Sequence, residues 1–326
     1  MNLALSKSRS RQPHRSIRSA AVGIDVGLHA IKLVQVVADG SRWKVASRVT
    51  VPTRSSGPTV EFNDGVLAAS LSWLKNGGCP SSRRAVCVLP MSLTDARAVE
   101  VPQGSDEEIH AMALELLRDQ FPDDFDERVT RMWLHSPTTE EMARVSAISV
   151  REDLAESIAG DVSGVGLRCQ LLDAVPFALA RALSISQEQP KDVPIAAIDW
   201  GHHTVTFVVA MNGRPEFVRV FRDCSGGEIM EAVASTLCVE TNEAQRVLTS
   251  FGFASAAGGA ATDRIRNAFG TIAKPIAQRF VDELKRTLTY LRHQNSRLVP
   301  TDLRLFGGIA TIPGFADMIS HHAGLN

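Results

Sequence analysis

The chain has 326 residues, 44% of them hydrophobic and 22% charged, with a formal net charge of −1. That length suits about two domains, the composition is ordinary for a globular protein, and the near-zero charge excludes a whole-molecule field that would draw it onto nucleic acid or an acidic membrane. Five cysteines, Cys79, Cys87, Cys169, Cys224 and Cys238, form no CxxC pair and no metal spacing, so they read as reduced, buried thiols.

Residues 1–19 read as a disordered basic tail, with Lys7, Arg9, Arg11, Arg15 and Arg18 and no acid. No apolar run approaches the ~18 residues of a membrane span. From Val22 to Val34 the pattern is strand, tight turn at Gly27, strand, with Asp25 beside the bend. Asp39-Gly40 is a hairpin signal, and Arg42 to Val51 completes a three-strand meander. After a loop over 52–58, Asn63 or Asp64 caps a helix carrying Leu67, Leu71 and Leu74, and 85–89 is a short buried strand.

Residues 91–164 have the look of an inserted unit. It holds a strand at 96–101, a capping box Ser105…Glu108 opening a helix to about Gln120, an acidic loop at 122–127, two strands at 129–135 and 143–150, and a helix over 151–159. A strand at 167–172 and a helix at 174–185 follow, and the polar, two-proline stretch 187–194 reads as a domain linker. The predicted division is a first domain at 20–190 and a second at 191–326, the latter with a helical part over about 231–299 in which Pro275 marks a kink or break. Trp43, Trp73 and Trp133 are expected in the core.

Beyond the linker the sequence repeats itself. Ile195 to Val208 matches the opening stretch at an offset of 174, pairing Asp25 with Asp199, Gly27 with Gly201, His29 with His203 and Ile31 with Val205. The next hairpin turn recurs as Asn212-Gly213. Two meanders sharing an acid, a glycine and an apolar alternation are far less probable by chance than one. Two such acid-bearing hairpins can face each other across a cleft. Anionic phosphates there would meet backbone amides, with a divalent cation between Asp25 and Asp199, directly or through water. Lys32 adds charge at the first hairpin and Thr204 a hydroxyl at the second. Gly226-Gly227 and Gly307-Gly308 would let backbone approach a base or ribose, with Ile309 next to the latter. Glu228, Glu243 and Arg246 are candidates for sugar or base contacts, although Glu243 and Arg246 also suit a plain surface pair on one helix face. His29, His202 and His203 do not read as a metal site, because neighbouring histidines on a strand face opposite ways.

This order of features resembles the actin-like ATPase superfamily, a duplicated, ribonuclease H-like α/β fold. Residues 21–32 resemble its first phosphate motif, 195–206 its second, and Leu305 to Gly314 its adenosine motif. Within it, Gly23-Ile24-Asp25-Val26-Gly27 followed by Ile31-Lys32-Leu33-Val34-Gln35-Val36 is similar to the PilM family of type IV pilus assembly proteins. Val101-Pro102, Glu107-Glu108 and Phe121-Pro122 resemble that family's inserted α+β subdomain, called 1C. The resemblance implies a cytoplasmic scaffold, peripheral to the inner membrane, with ATP and Mg²⁺ between the two domains. It also implies a partner: the cytoplasmic N-terminal tail of a PilN-like bitopic protein. Leu28-His29-Ala30 and His202-His203 depart from the small and hydroxyl residues usual there; they would crowd a triphosphate or touch it through imidazole. No efficient catalytic base stands out near either hairpin, so any ATP hydrolysis is expected to be slow. A sugar- or acetate-type kinase and an FtsA-like filament protein are the alternatives on the same fold. The first needs an acid against an acceptor hydroxyl, the second an amphipathic C-terminal membrane helix, and the sequence displays neither.

Overall fold

In the computed structural model the described residues are 21–39, 42–53, 65–76, 82–120, 124–135, 141–186, 192–253, 260–300 and 302–323. The expected tail at 1–19, the Gly40 turn, the loop beyond Thr53, Asn63 and Asp64, Cys79, Phe121-Pro122 and most of the linker lie outside them.

The meander is β1 (Val22–Val26), β2 (Ala30–Asp39) and β3 (Arg42–Pro52). Val22, Ile24 and Val26 alternate into the core, the period of a half-buried strand. A short α1 (Val66–Ser70) continues as a 3-10 turn over Ser72–Asn76, and β4 (Arg84–Leu89) returns beside β1. Next come β5 (Asp95–Pro102), α2 (Asp106–Gln120), β6 (Arg128–Leu134) and β7 (Met142–Arg151), then α3 (Glu152–Gly164), β8 (Arg168–Ala174) and α4 (Val175–Ser186). The second half comprises β9 (Ile195–Trp200), β10 (Val205–Met211), β11 (Arg214–Phe221), α5 (Gly226–Leu237), α6 (Thr241–Phe251), α7 (Ala260–Gln294), β12 (Asp302–Phe306) and α8 (Phe315–Ala323).

The sequence repeat is a repeat of topology. One sheet runs β3-β2-β1-β4-β8 and the other β11-β10-β9-β12. In each, the first strand of the meander is antiparallel to the second and parallel to a later strand, β4 or β12. The registers agree as well: Asp25 lies opposite Lys32, and Asp199 opposite Thr206, at the same offset. The Asn212-Gly213 turn has φ of 53° and 74°, the left-handed pair of a hairpin turn.

A separate sheet, β5-β7-β6, carries α2 on one face around Val101, Ile109, Ala113 and Leu117. The capping box at its start is formed, with Glu108 Oε2 accepting from the Ser105 amide at 2.9 Å. α3, read from sequence as the end of this insert, instead places Ala155, Ile158 and Val162 in the core of the first sheet with α1. The insert also touches the second half. The Trp133 indole N–H donates to the Pro215 carbonyl at 2.8 Å, and buried His135 sits between Glu216 (Nδ1 to Oε2, 2.9 Å) and Ser146 (Nε2 to Oγ, 2.6 Å).

β9 and β10 are apolar on both faces because both are covered. Ala196, Ile198 and Trp200 face the α5, α7 and α8 core, while Ile195 and Ala197 pack with α4 residues Val175, Leu179, Ala180 and Leu183. α7 is one helix through Pro275, so the chain does not break there; Ala273, Ile276, Ala277 and Phe280 bury on the core while Pro275 stays outside. Trp43, expected in the core, is 58% exposed, because it lies near the end of edge strand β3, where residues 43–48 are all exposed; Trp73 and Trp133 are half-buried. Among the described residues no helix is long and apolar enough to cross a membrane.

Candidate phosphate cleft

Each hairpin tip is built around its glycine. A Cβ on Gly27 would lie 2.2 Å from the Ala30 carbonyl oxygen, and one on Gly201 2.9 Å from that of Thr204; no side chain fits turns this tight. Thr53, just past β3, clamps the first tip: its hydroxyl donates to the Gly27 carbonyl at 2.6 Å and its amide to that of His29 at 3.0 Å. The Gly201 amide donates to the Thr204 carbonyl at 3.0 Å, closing the second tip, where Thr204 is buried.

Asp25 accepts from Lys32 Nζ at 2.6 Å in a partly exposed pair, which holds the lysine beside the acid rather than free in the cleft. Among the described residues Asp199 has no such cation of its own. Burial pushes its pKa up to about 6; the negative charge of Asp25 adds to this and Lys32 opposes it. The charge of Asp25 is thus felt at Asp199. A divalent cation between them would relieve that repulsion. Among the described residues no three His, Cys, Asp or Glu side chains converge to hold a metal unaided, so phosphate or water oxygens would have to complete its shell.

Between the tips stand imidazoles. The rings of His29 and His202 stack at 4.1 Å and 14°, one from each half of the molecule, and His203 meets His202 edge-on at 4.8 Å. His29 Nε2 also lies 3.4 Å from Gln245 Oε1 on α6. Burial, followed by His29 and His203, pushes His202 down to about 4; His203 is lowered too, by burial and then His29. His202 is therefore neutral at pH 7, and the two half-buried rings stack face to face.

The glycines after β11 serve the second hairpin itself. The Gly226 amide donates to the Gly201 carbonyl at 2.9 Å and the Gly227 amide to that of His202 at 2.7 Å. A Cβ on Gly226 would strike Ile309, and one on Gly227 the His202 carbonyl at 2.8 Å. The first amides of α5, which could have met an anion, are thus spent on the hairpin. Glu228 closes a capping box with Ser225 and pairs with Arg279 at 2.6 Å. Gly307, at φ +96°, lets β12 turn against the Trp200 backbone, and Ile309 is buried in the second core. Gly308, Glu243 and Arg246 are exposed. Sequence reasoning missed Thr53, Gln245 and Arg279. Thr53 follows Pro52, which pairs with Ala30, so register is the signal that would have found it. Gln245 and Arg279 carry none.

No family model and no curated protein matches the sequence. Among solved structures, 94% of the chain aligns with 86% of a chain in the "PilM-PilN type IV pilus biogenesis complex", at a TM-score of 0.75 and 22% identity. It also aligns, again over 94%, with 82% of the ethanolamine utilization protein EutJ from Carboxydothermus hydrogenoformans, at a TM-score of 0.53 and 16% identity. Together with the duplicated sheet order, these likenesses define an actin-like ATPase fold.

Proposed function

We propose that the protein is a PilM-like cytoplasmic scaffold of type IV pilus assembly, docking the N-terminal cytoplasmic tail of a PilN-like inner-membrane protein. The observation that carries the reading is the extent of the likeness to the PilM chain. The uncovered 6% is smaller than the β5–β7 insert, so most of the insert is shared as well. A cavity of about 620 Å³ lies where the insert meets the second half, lined by Ile109 and His110 of α2, Met132 and Leu134 of β6, and Met211 and Arg214. An extended tail would lay apolar side chains against Met132 and Leu134. Fluorescence anisotropy with labelled PilN-like N-terminal peptides tests this. Wild type binds and Met132→Glu weakens binding at least tenfold; failure of every peptide against folded wild type sinks the scaffold reading.

ATP with Mg²⁺ belongs to the same proposal. Asp25 and Asp199 would hold the cation, and the hairpin tips would meet the phosphates once His29 and His202 part. Bound nucleotide would order the cleft rather than serve as fuel. Calorimetric titration of Mg²⁺-ATP into wild type, Asp25→Ala and His29→Ala checks it. Binding by wild type, loss in Asp25→Ala and tighter binding in His29→Ala are expected; heat-silent titration of all three overturns the nucleotide part alone.

A further inference from the structure

Away from the cleft, two thiols meet on neighbouring strands. Cys87 on β4 and Cys169 on β8 bring their Sγ atoms to 3.9 Å. The parallel β4–β8 pairing carries a register shift between Ala85 and Val86, so Cys169 lies opposite Ala85 and Leu172 opposite Cys87. Ala85 and Cys87 are two apart on β4, so Cys169, opposite Ala85, lies on the same face of the sheet as Cys87, against the first core. The two environments differ. Cys87 is fully buried in the first core, whereas Cys169 is only half-buried, because β8 is the edge strand of its sheet.

We propose that Cys169 and Cys87 form a hydroperoxide-driven dithiol–disulfide couple, with Cys169 as the attacking sulfur and Cys87 as the resolving one. The sulfurs, 3.9 Å apart, are about 2 Å short of an S–S bond. The Cys169 thiolate attacks one peroxide oxygen. An S–O bond forms, the O–O bond breaks, and the departing hydroxide or alkoxide takes a proton; the sulfur, now a sulfenic acid, has lost two electrons. Cys87 then gives up its proton and attacks the Cys169 sulfur. The S–S bond forms, the S–O bond breaks, and the hydroxyl leaves with that proton as water. Two thiols and one hydroperoxide become a disulfide, a water and an alcohol or second water. An external dithiol restores the pair by exchange. The hydrogen bond with Cys87, outweighing burial, lowers Cys169 to about 7, while the same contact and burial push Cys87 up; that is the division of roles the chemistry needs. The couple is independent of the scaffold reading.

The test uses the full chain with Cys79→Ser and Cys238→Ser, fully reduced and then treated with hydrogen peroxide at equimolar and tenfold ratios. Non-reducing peptide mapping is expected to show the Cys87 and Cys169 peptides joined, with the link released by dithiothreitol. Cys87→Ala should instead accumulate a dimedone adduct at Cys169, and Cys169→Ser should leave Cys87 unmodified under native conditions. Cys169 passing to sulfinic acid with no cross-link in the parent would overturn the proposal, as would Cys87 reacting in Cys169→Ser as fast as Cys169 does in Cys87→Ala.

Discussion

At the scale of single residues, Asp199 is where the fold spends stability on its cleft. Its pKa is raised from 3.8 to about 6, so the folded state holds the proton more tightly than the unfolded one. The Asp199 contribution to stability is therefore fullest at low pH, falls as pH rises from about 4 to about 6, and stays reduced above. At 1.36 kcal/mol per unit the cost at neutral pH is about 3 kcal/mol. Asp199→Asn should stabilise the protein by up to about 3 kcal/mol at pH 7.5 and by about half as much at pH 5, as read from urea unfolding at the two values. His202 runs the other way. Its lowered pKa means that stability is lost as pH falls from about 6.5 toward 4, so the asparagine variant should unfold more steeply on acidification than wild type. Equal shifts at both pH values would show that Asp199 is not held in this environment.

At the scale of elements, α7 and the β12 turn make opposite predictions. Pro275 sits exposed in an unbroken helix, where it removes one backbone hydrogen bond, so Pro275→Ala should add about 1–3 kcal/mol. Gly307→Ala should cost about 2 kcal/mol or more, because φ is +96° and its Cβ would lie 2.4 Å from the Trp200 carbonyl oxygen. Both are read from chemical denaturation. This is also the scale at which the sequence is most legible. The period-two alternation of Val22, Ile24 and Val26 and the matched Asp-x-Gly tips announce both meanders, since local pattern alone specifies them. The cleft's closure is not legible in this way. His29 stacks on His202, yet the repeat aligns it with His203; a contact that breaks the internal symmetry cannot be read from it. Nor does any local pattern say that the Gly226 and Gly227 amides go to the second hairpin, or that helix burial carries Pro275.

At the scale of the whole molecule, the insert is fastened to the second half through His135 and Glu216, both buried. His135→Ala strands the Glu216 carboxylate in the interior and should cost about 3 kcal/mol or more, whereas Glu216→Gln keeps a hydrogen-bonding partner and should cost about 1 kcal/mol. Thermal unfolding of the two variants checks the order. On the proposed function the same contact would couple the groove to the cleft. A peptide held by Met132 and Leu134 lies on a sheet tied to β11, and β11 pairs with β10 of the second hairpin. Peptide affinity measured with and without Mg²⁺-ATP should therefore differ by the same factor as nucleotide affinity measured with and without peptide.

α4 has a consequence for how the polypeptide can be divided. It belongs by sequence to the first half, yet Val175, Leu179, Ala180 and Leu183 fill the underside of β9 and β10. Severing the chain after residue 190 would leave each piece with a bare apolar surface whose only good cover is the other piece. Co-expressed as two polypeptides, residues 1–190 and 191–326 should find each other and co-purify as a nicked protein, while either alone should be insoluble. What the sequence writes as a duplication, the physics of α4 has made into two fragments that complement.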